Sequence, residues 1–259
     1  MNKNPIGIFD SGVGGLSIWK DINQLLPNES TIYIADSNNA PYGEKPKEKI
    51  TELSIKNTEL LLAQNCKLIV VACNTATTNS IDTLRKNYAI PFIGIEPATK
   101  HAAINTKTGK IGILATKGTL ASELFLNTSE KYRGDVEIIE TIGTGLVAII
   151  ESGNLDNAEP LLREYLQPMI DKNVDNVVLG CSHYPFLTSV IKRIIPTEIT
   201  IIDSGEAVAK QTENILKDFN ILNSTESSAE HLFYTNAQHD ILEMFLKKIR
   251  AANYTIQSL

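Results

Sequence analysis

The chain has 259 residues, 42% of them hydrophobic and 21% charged, with a net charge of -6. That apolar content is enough for two modest cores or one large one, and it excludes a disordered chain. The acidic surplus, with no Lys/Arg block or aromatic-basic stripe, argues against a nucleic-acid-binding protein or one that docks on anionic membranes.

The N-terminal run Met1-Asn-Lys-Asn-Pro-Ile-Gly-Ile-Phe-Asp10 leads directly into a strand and has no long apolar signal core. No stretch is long enough to span a bilayer, so a cytoplasmic protein is expected. The three cysteines, Cys66, Cys73 and Cys181, are an odd count, and in a reducing compartment a disulfide framework is not expected. Short β-rich runs at 6–9, 31–35, 68–72, 92–95, 111–115, 136–141, 177–180, 199–202 and 231–235 alternate with helical patterns. The clearest helices are 45–64, 155–172 and 206–219, followed by 238–251 with Ile241, Leu242, Phe245 and Ile249 on one face. This alternation predicts an α/β fold with mostly parallel sheets.

The chain echoes itself. Ile6-Gly-Ile-Phe-Asp10-Ser11 resembles Ile111-Gly-Ile-Leu-Ala115-Thr116 at an offset of 105 (111 − 6), and Cys73 and Cys181 differ by 108 (181 − 73). Ile95-Glu96 and Ile202-Asp203 differ by 107 (202 − 95). Two similar α/β domains facing each other across a central cleft are therefore expected. Residues 1–97 and 207–259 would form one and 98–206 the other, with ligand at the carboxyl ends of the strands.

Two matched frames carry the chemistry. Leu68-Ile-Val-Val-Ala-Cys73-Asn74-Thr75 and Asn176-Val-Val-Leu-Gly-Cys181-Ser182-His183 each place a thiol just past a strand, where a helix can begin. Helix N-termini favour thiolates, and Asn74 or Thr75 could cap the helix after Cys73, while Pro185 suits a first turn. Two thiols across one pocket could remove a proton from one face of a carbon and return one to the other. His183 could share a proton with Cys181. Asp10-Ser11-Gly12-Val13-Gly14-Gly15 reads as a cradle for a substrate carboxylate, with Ser11 as donor and Asp10 orienting a thiol or holding an ammonium. A nucleotide loop or a plain turn are the alternatives there, and the spacing fits neither G-x-G-x-x-G nor the Walker pattern. Pro41-Tyr42-Gly43 marks a turn that could offer a hydroxyl and N–H groups to a second carboxylate. Thr116 and Thr119 fill the slots of Ser11 and Gly14 in the second unit and could bind ligand from the other side. Glu151 closes an apolar helical stretch; a solvated helix end is the default for it, and a role near the cleft is the alternative. Cys66 has no comparable context.

These motifs resemble those of bacterial glutamate racemases, within the aspartate/glutamate racemase superfamily. The matching segments are Gly7-Ile-Phe-Asp10-Ser11-Gly-Val-Gly-Gly-Leu16, Pro41-Tyr42-Gly43, Val71-Ala-Cys73-Asn74-Thr75-Ala76 and Leu179-Gly-Cys181-Ser182-His183-Tyr-Pro185. The resemblance implies two α/β domains and cofactor-independent interconversion of L- and D-glutamate, with no pyridoxal phosphate and no metal. Cys73 would handle the proton of the D-enantiomer and Cys181 that of the L-enantiomer. Asp10, Ser11, Tyr42, Gly43, Asn74, Thr75, Ser182 and His183 fall on substrate-binding motifs, beside Pro41. It also implies a role in supplying D-glutamate for peptidoglycan, and a homodimer is a possible assembly. Two departures stand out: Ser182 where the family usually has Thr, and Ile142-Gly-Thr-Gly145-Leu where many members carry Cys-Pro. The competing readings are an aspartate racemase or a decarboxylase on the same scaffold, a zinc hydrolase using Cys73, Cys181 and His183, and a two-lobed amino-acid-binding protein without turnover.

Overall fold

A computed structural model describes residues 2–95, 97–224 and 229–259, so Glu96 of the third echo lies outside the described residues. The strands are β1 (Ile6–Asp10), β2 (Thr31–Ala35), β3 (Leu68–Val71), β4 (Phe92–Gly94), β5 (Lys110–Ala115), β6 (Glu137–Ile142), β7 (Asn176–Gly180), β8 (Thr200–Ile202), β9 (His231–Thr235) and β10 (Tyr254–Ser258). The helices are α1 (Leu16–Leu25), α2 (Lys47–Ala63), α3 (Asn74–Asn87), α4 (Thr99–Asn105), α5 (Lys117–Leu120), α6 (Glu123–Glu130), α7 (Leu146–Glu151), α8 (Glu159–Asp171), α9 (Thr188–Ile194), α10 (Gly205–Asp218) and α11 (His239–Lys248).

They build two α/β domains around two sheets, one six-stranded with order β10-β9-β2-β1-β3-β4 and one four-stranded with order β6-β5-β7-β8. Every pairing is parallel. The run β2-β1-β3-β4 has the same order as β6-β5-β7-β8, and the echo reaches the register: Ile6 faces Leu68, as Ile111 faces Asn176. Strands β1, β2, β3 and β7 are buried along their whole length because helices cover both faces of each sheet, which is why they read as unbroken apolar runs.

The chain leaves the first sheet after β4 and returns after β8 through α10, which packs along α1. Strands β9 and β10 then extend the first sheet beyond β2. β10 is absent from the sequence reading because it is an edge strand with exposed Thr255, Gln257 and Ser258 and no apolar run. The helix predicted over 155–172 begins as a 3-10 turn at Leu155–Ala158, and α8 starts where Pro160 can occupy the first turn. Cys66 packs its sulfur against the backbone of Gly7, and burial pushes its thiol up to about 12, so it is a core residue. Among the described residues no helix is long and apolar enough to cross a membrane.

Candidate active site

Four strands, β1 and β3 of the larger sheet and the two inner strands β5 and β7 of the smaller, end on a common cavity of about 10 Å³. Ser11, Cys73, Thr116 and Cys181, each within the first residues past one of those strands, all line it. Parallel strands present their carboxyl ends together, so one loop per strand supplies one wall of the site.

Cys73 is itself the N-cap of α3: its sulfur accepts the Ala76 N–H at 3.4 Å, and neither Asn74 nor Thr75 takes that place. The thiol donates to Ser11 Oγ at 3.8 Å. Burial, reinforced by the charge of Asp10, pushes this thiol well above the usual range, against the opposing pull of the Ala76 N–H. Cys181 is set differently. A 3-10 turn, Tyr184–Leu187, follows it and leads into α9, with His183 as cap and Pro185 in the turn's first residues. Its sulfur lies 3.9 Å from His183 Nδ1.

His183 is buried, and burial alone would lower its pKa. Its hydrogen bonds to Cys181 and Glu151 and the charges of Asp10 and Glu151 outweigh that and raise it well above the ordinary range. Glu151 Oε1 lies 2.6 Å from His183 Nε2 and also accepts the Val13 N–H at 2.8 Å. Asp10 is completely buried and held above the usual carboxylate range by desolvation, although His183 and the Gly15 N–H oppose the shift. Its Oδ2 accepts the N–H groups of Gly12 at 3.1 Å and Gly15 at 3.0 Å, and its Oδ1 accepts Ser182 Oγ at 3.0 Å.

The glycine loop thus differs from the expected cradle. Three of its N–H groups are engaged by the protein's own carboxylates, Asp10 and Glu151, while Ser11 alone of the loop faces the cavity. The Tyr42 hydroxyl, expected to be offered to ligand, donates to Asp36 Oδ2 at 2.5 Å and accepts from Asn57 Nδ2 at 3.2 Å. What Pro41, Tyr42 and Gly43 give the cavity is its floor, with Gly43 pressed against Thr116 so closely that a Cβ there would lie 2.7 Å from Thr116 Cβ. Thr75 and Thr116 share a hydrogen bond at 2.8 Å, and Thr119 stands behind them, 3.0 Å from Thr116 and outside the cavity lining.

Asn74 points the other way energetically. It lines the cavity, it is buried, and neither its Oδ1 nor its Nδ2 has a partner among the described residues. Leaving a buried carboxamide unpaired costs about 1–3 kcal/mol per group, which a bound polar ligand would recover. One contributor is not legible in the sequence, and another takes the lesser of its two expected roles. Val147 lines the cavity from α7, and Glu151, at the end of that helix, is a half-buried partner of His183. The Ile142–Leu146 segment, where the family's Cys-Pro is absent, still opens a helix: Gly145 caps it in the left-handed region at φ 80°. Among the described residues no cluster of three or more His, Cys, Asp or Glu side chains is grouped to hold a metal ion.

Thiols from the two sheets flank a buried amide with no partner among the described residues; the architecture is that of an amino-acid racemase. The chain belongs to the Asp/Glu/hydantoin racemase family, whose profile matches residues 6–212. Within that family its similarity runs to the glutamate racemases. That of Herpetosiphon aurantiacus is 43% identical over 243 residues, 92% of this chain and 96% of that protein. The crystal structure of glutamate racemase isoform RacE1 from Bacillus anthracis superposes with a TM-score of 0.89 at 30% identity, covering 100% of this chain and 98% of that one. The Escherichia coli glutamate racemase, solved with L-glutamate and the activator UDP-MurNAc-Ala, gives a TM-score of 0.85 at 31% identity over 99% of this chain and 98% of that one.

Proposed function

We propose that the chain interconverts L- and D-glutamate by two-base proton transfer between Cys73 and Cys181, without a cofactor. The observation that carries this reading is the pair of buried thiols, one from each sheet, lining one cavity. Starting from L-glutamate, Cys181 enters as the thiolate, paired with the protonated imidazole of His183 3.9 Å away, and takes the α-proton. Cys73, held as the thiol by burial and Asp10, delivers a proton to the opposite face. The product leaves with the two protonation states exchanged, and the reverse reaction runs from that state.

The α-carbon beside a carboxylate is a very weak acid, so developing negative charge must be met by fixed donors in a site closed to water. Asn74, Ser11, Thr75 and Thr116 line the cavity, and their amide and hydroxyl groups are the donors that would serve. The cavity, about 10 Å³, has room for roughly one water molecule. The two domains therefore part to admit glutamate and close over it. D-Glutamate made in this way would supply peptidoglycan synthesis in the cytoplasm.

The test is proton NMR of L-glutamate in D₂O with the purified chain and no added cofactor. Loss of the α-proton signal, with optical activity decaying to zero, is the expected result. An intact α-proton overturns the reading.

A further inference from the structure

The glycines at 12 and 14 have no conformational reason to be glycine. Among the described residues the left-handed glycines are Gly109, Gly145 and Gly153, so neither Gly12 nor Gly14 sits in a backbone region closed to alanine. Their reason is space. A Cβ built on Gly12 would overlap the Glu151 carboxylate, lying 2.5 Å from its Cδ. A Cβ built on Gly14 would overlap the His183 imidazole, lying 2.5 Å from its Cε1. Real Cβ atoms do not approach so closely, and both intruded groups are held. The imidazole is rigid and buried, and the carboxylate is bound at once by His183 and by the Val13 N–H.

The two glycines follow β1 of the first sheet, whereas His183 follows β7 and Glu151 ends α7 of the second domain. The contact therefore crosses the cleft. Ser182 Oγ to Asp10 and Ser17 Oγ to the Ser182 carbonyl, at 3.0 and 2.8 Å, cross it at the same place. We propose that Gly12 and Gly14 are positioning residues of the reaction. The space left by their missing side chains is the socket that seats Glu151 and His183 of the opposite domain, so closing the cleft and assembling the acid–base pair are one event. The inference rests on the racemase reading for its kinetic consequences and on packing alone for its structural ones.

The experiment is a double-mutant cycle on the full chain with Gly12→Ala, Glu151→Ala and the two combined. α-Proton exchange of glutamate in D₂O and thermal unfolding are both measured. Gly12→Ala alone should lower kcat/KM by about 100-fold, the scale of an ångström-sized misplacement of catalytic groups. In the Glu151→Ala background the same change should cost no more than about twofold, because the carboxylate it displaces is gone. Gly14→Ala, cycled against His183→Ala, should behave in the same way.

A role confined to folding would not move the pH profile, but the socket should. His183 is faced by Cys181 on its own segment, Asp10 on β1 and Glu151 on α7. Displacing Glu151 removes a group that holds its proton, so the high-pH limb of kcat moves to lower pH in Gly12→Ala as in Glu151→Ala. Equal fold-losses in both backgrounds, or a wild-type rate in Gly12→Ala, overturn the socket. If the wild type exchanges no α-proton, the racemase reading fails by itself. The unfolding cycle then still decides the socket, which requires Gly12→Ala to lower the melting temperature only where Glu151 is present.

Discussion

Cys73 and Cys181 occupy matched frames in the sequence and equivalent strand ends in the fold, yet their surroundings differ. Cys73 caps a helix of 14 residues and has a hydroxyl, Ser11, as its side-chain partner. Cys181 meets a short 3-10 turn and an imidazole anchored by two carboxylates. Duplication of a fold thus supplies two positions for a thiol. The neighbours then make one a proton donor at rest and set a protonated imidazole beside the other.

The largest effect should come from removing either thiol. Cys73→Ser and Cys181→Ser should each lower net inversion by about 1,000-fold or more, within the range of general acid–base contributions. They should differ in what survives. Cys73→Ser retains the base for L-glutamate and should exchange its α-proton for deuterium with retention of configuration, while Cys181→Ser should do so only from D-glutamate. NMR and chiral separation of the same sample read both, and identical behaviour toward the two enantiomers would break the division of labour.

His183→Asn should cost about 100-fold in exchange from L-glutamate. It should cost much less in exchange from D-glutamate, because the imidazole is the neighbour of Cys181 and Cys73 has Ser11 in that place. Asn74→Ala should weaken kcat/KM about tenfold through loss of a cavity amide that has no partner among the described residues, equally in both directions because the enantiomers have equal free energies.

The smallest expected effect lies away from both thiols. Asp21 of α1 lies against Gly205 at the start of α10, and burial, with Asp203 and Glu206 nearby and Lys20 opposing, raises it from 3.8 to about 6. The folded chain holds this proton more tightly than the unfolded one. The stability it confers is therefore greatest below about pH 4, declines as pH rises toward 6, and stays reduced above that. Discounted for its partial exposure, the penalty at neutral pH is on the order of 1 kcal/mol. Asp21→Asn should raise the melting temperature at pH 7 by about 2–4 °C and leave it nearly unchanged at pH 4. Its exchange rates with the two enantiomers should keep the wild-type ratio, which separates a charge at the α1–α10 contact from the chemistry.

The sequence by itself determined the alternation of strands and helices, the two-unit plan and the placement of two thiols past matched strands. Those features are written locally, in apolar runs of strand length and in the residues that end them. It also carried the family motifs, because they lie within a few residues of the strand ends. Only the tertiary structure decided which groups meet. Val13 and Glu151 are 138 residues apart and Ser182 and Asp10 are 172 apart, and nothing near Glu151 distinguishes it from a solvated helix end. The glycine loop reads locally as a turn that could cradle an anion. Its Gly12 and Gly15 N–H groups turn back onto Asp10, but the Val13 N–H and the missing side chains of Gly12 and Gly14 acquire their partners only when the second domain arrives. Likewise the Tyr42 hydroxyl is turned to Asp36 by packing, and β10 is a strand only because β9 offers it an edge. Local chemistry specifies what each segment can donate or accept, and long-range packing selects the partner.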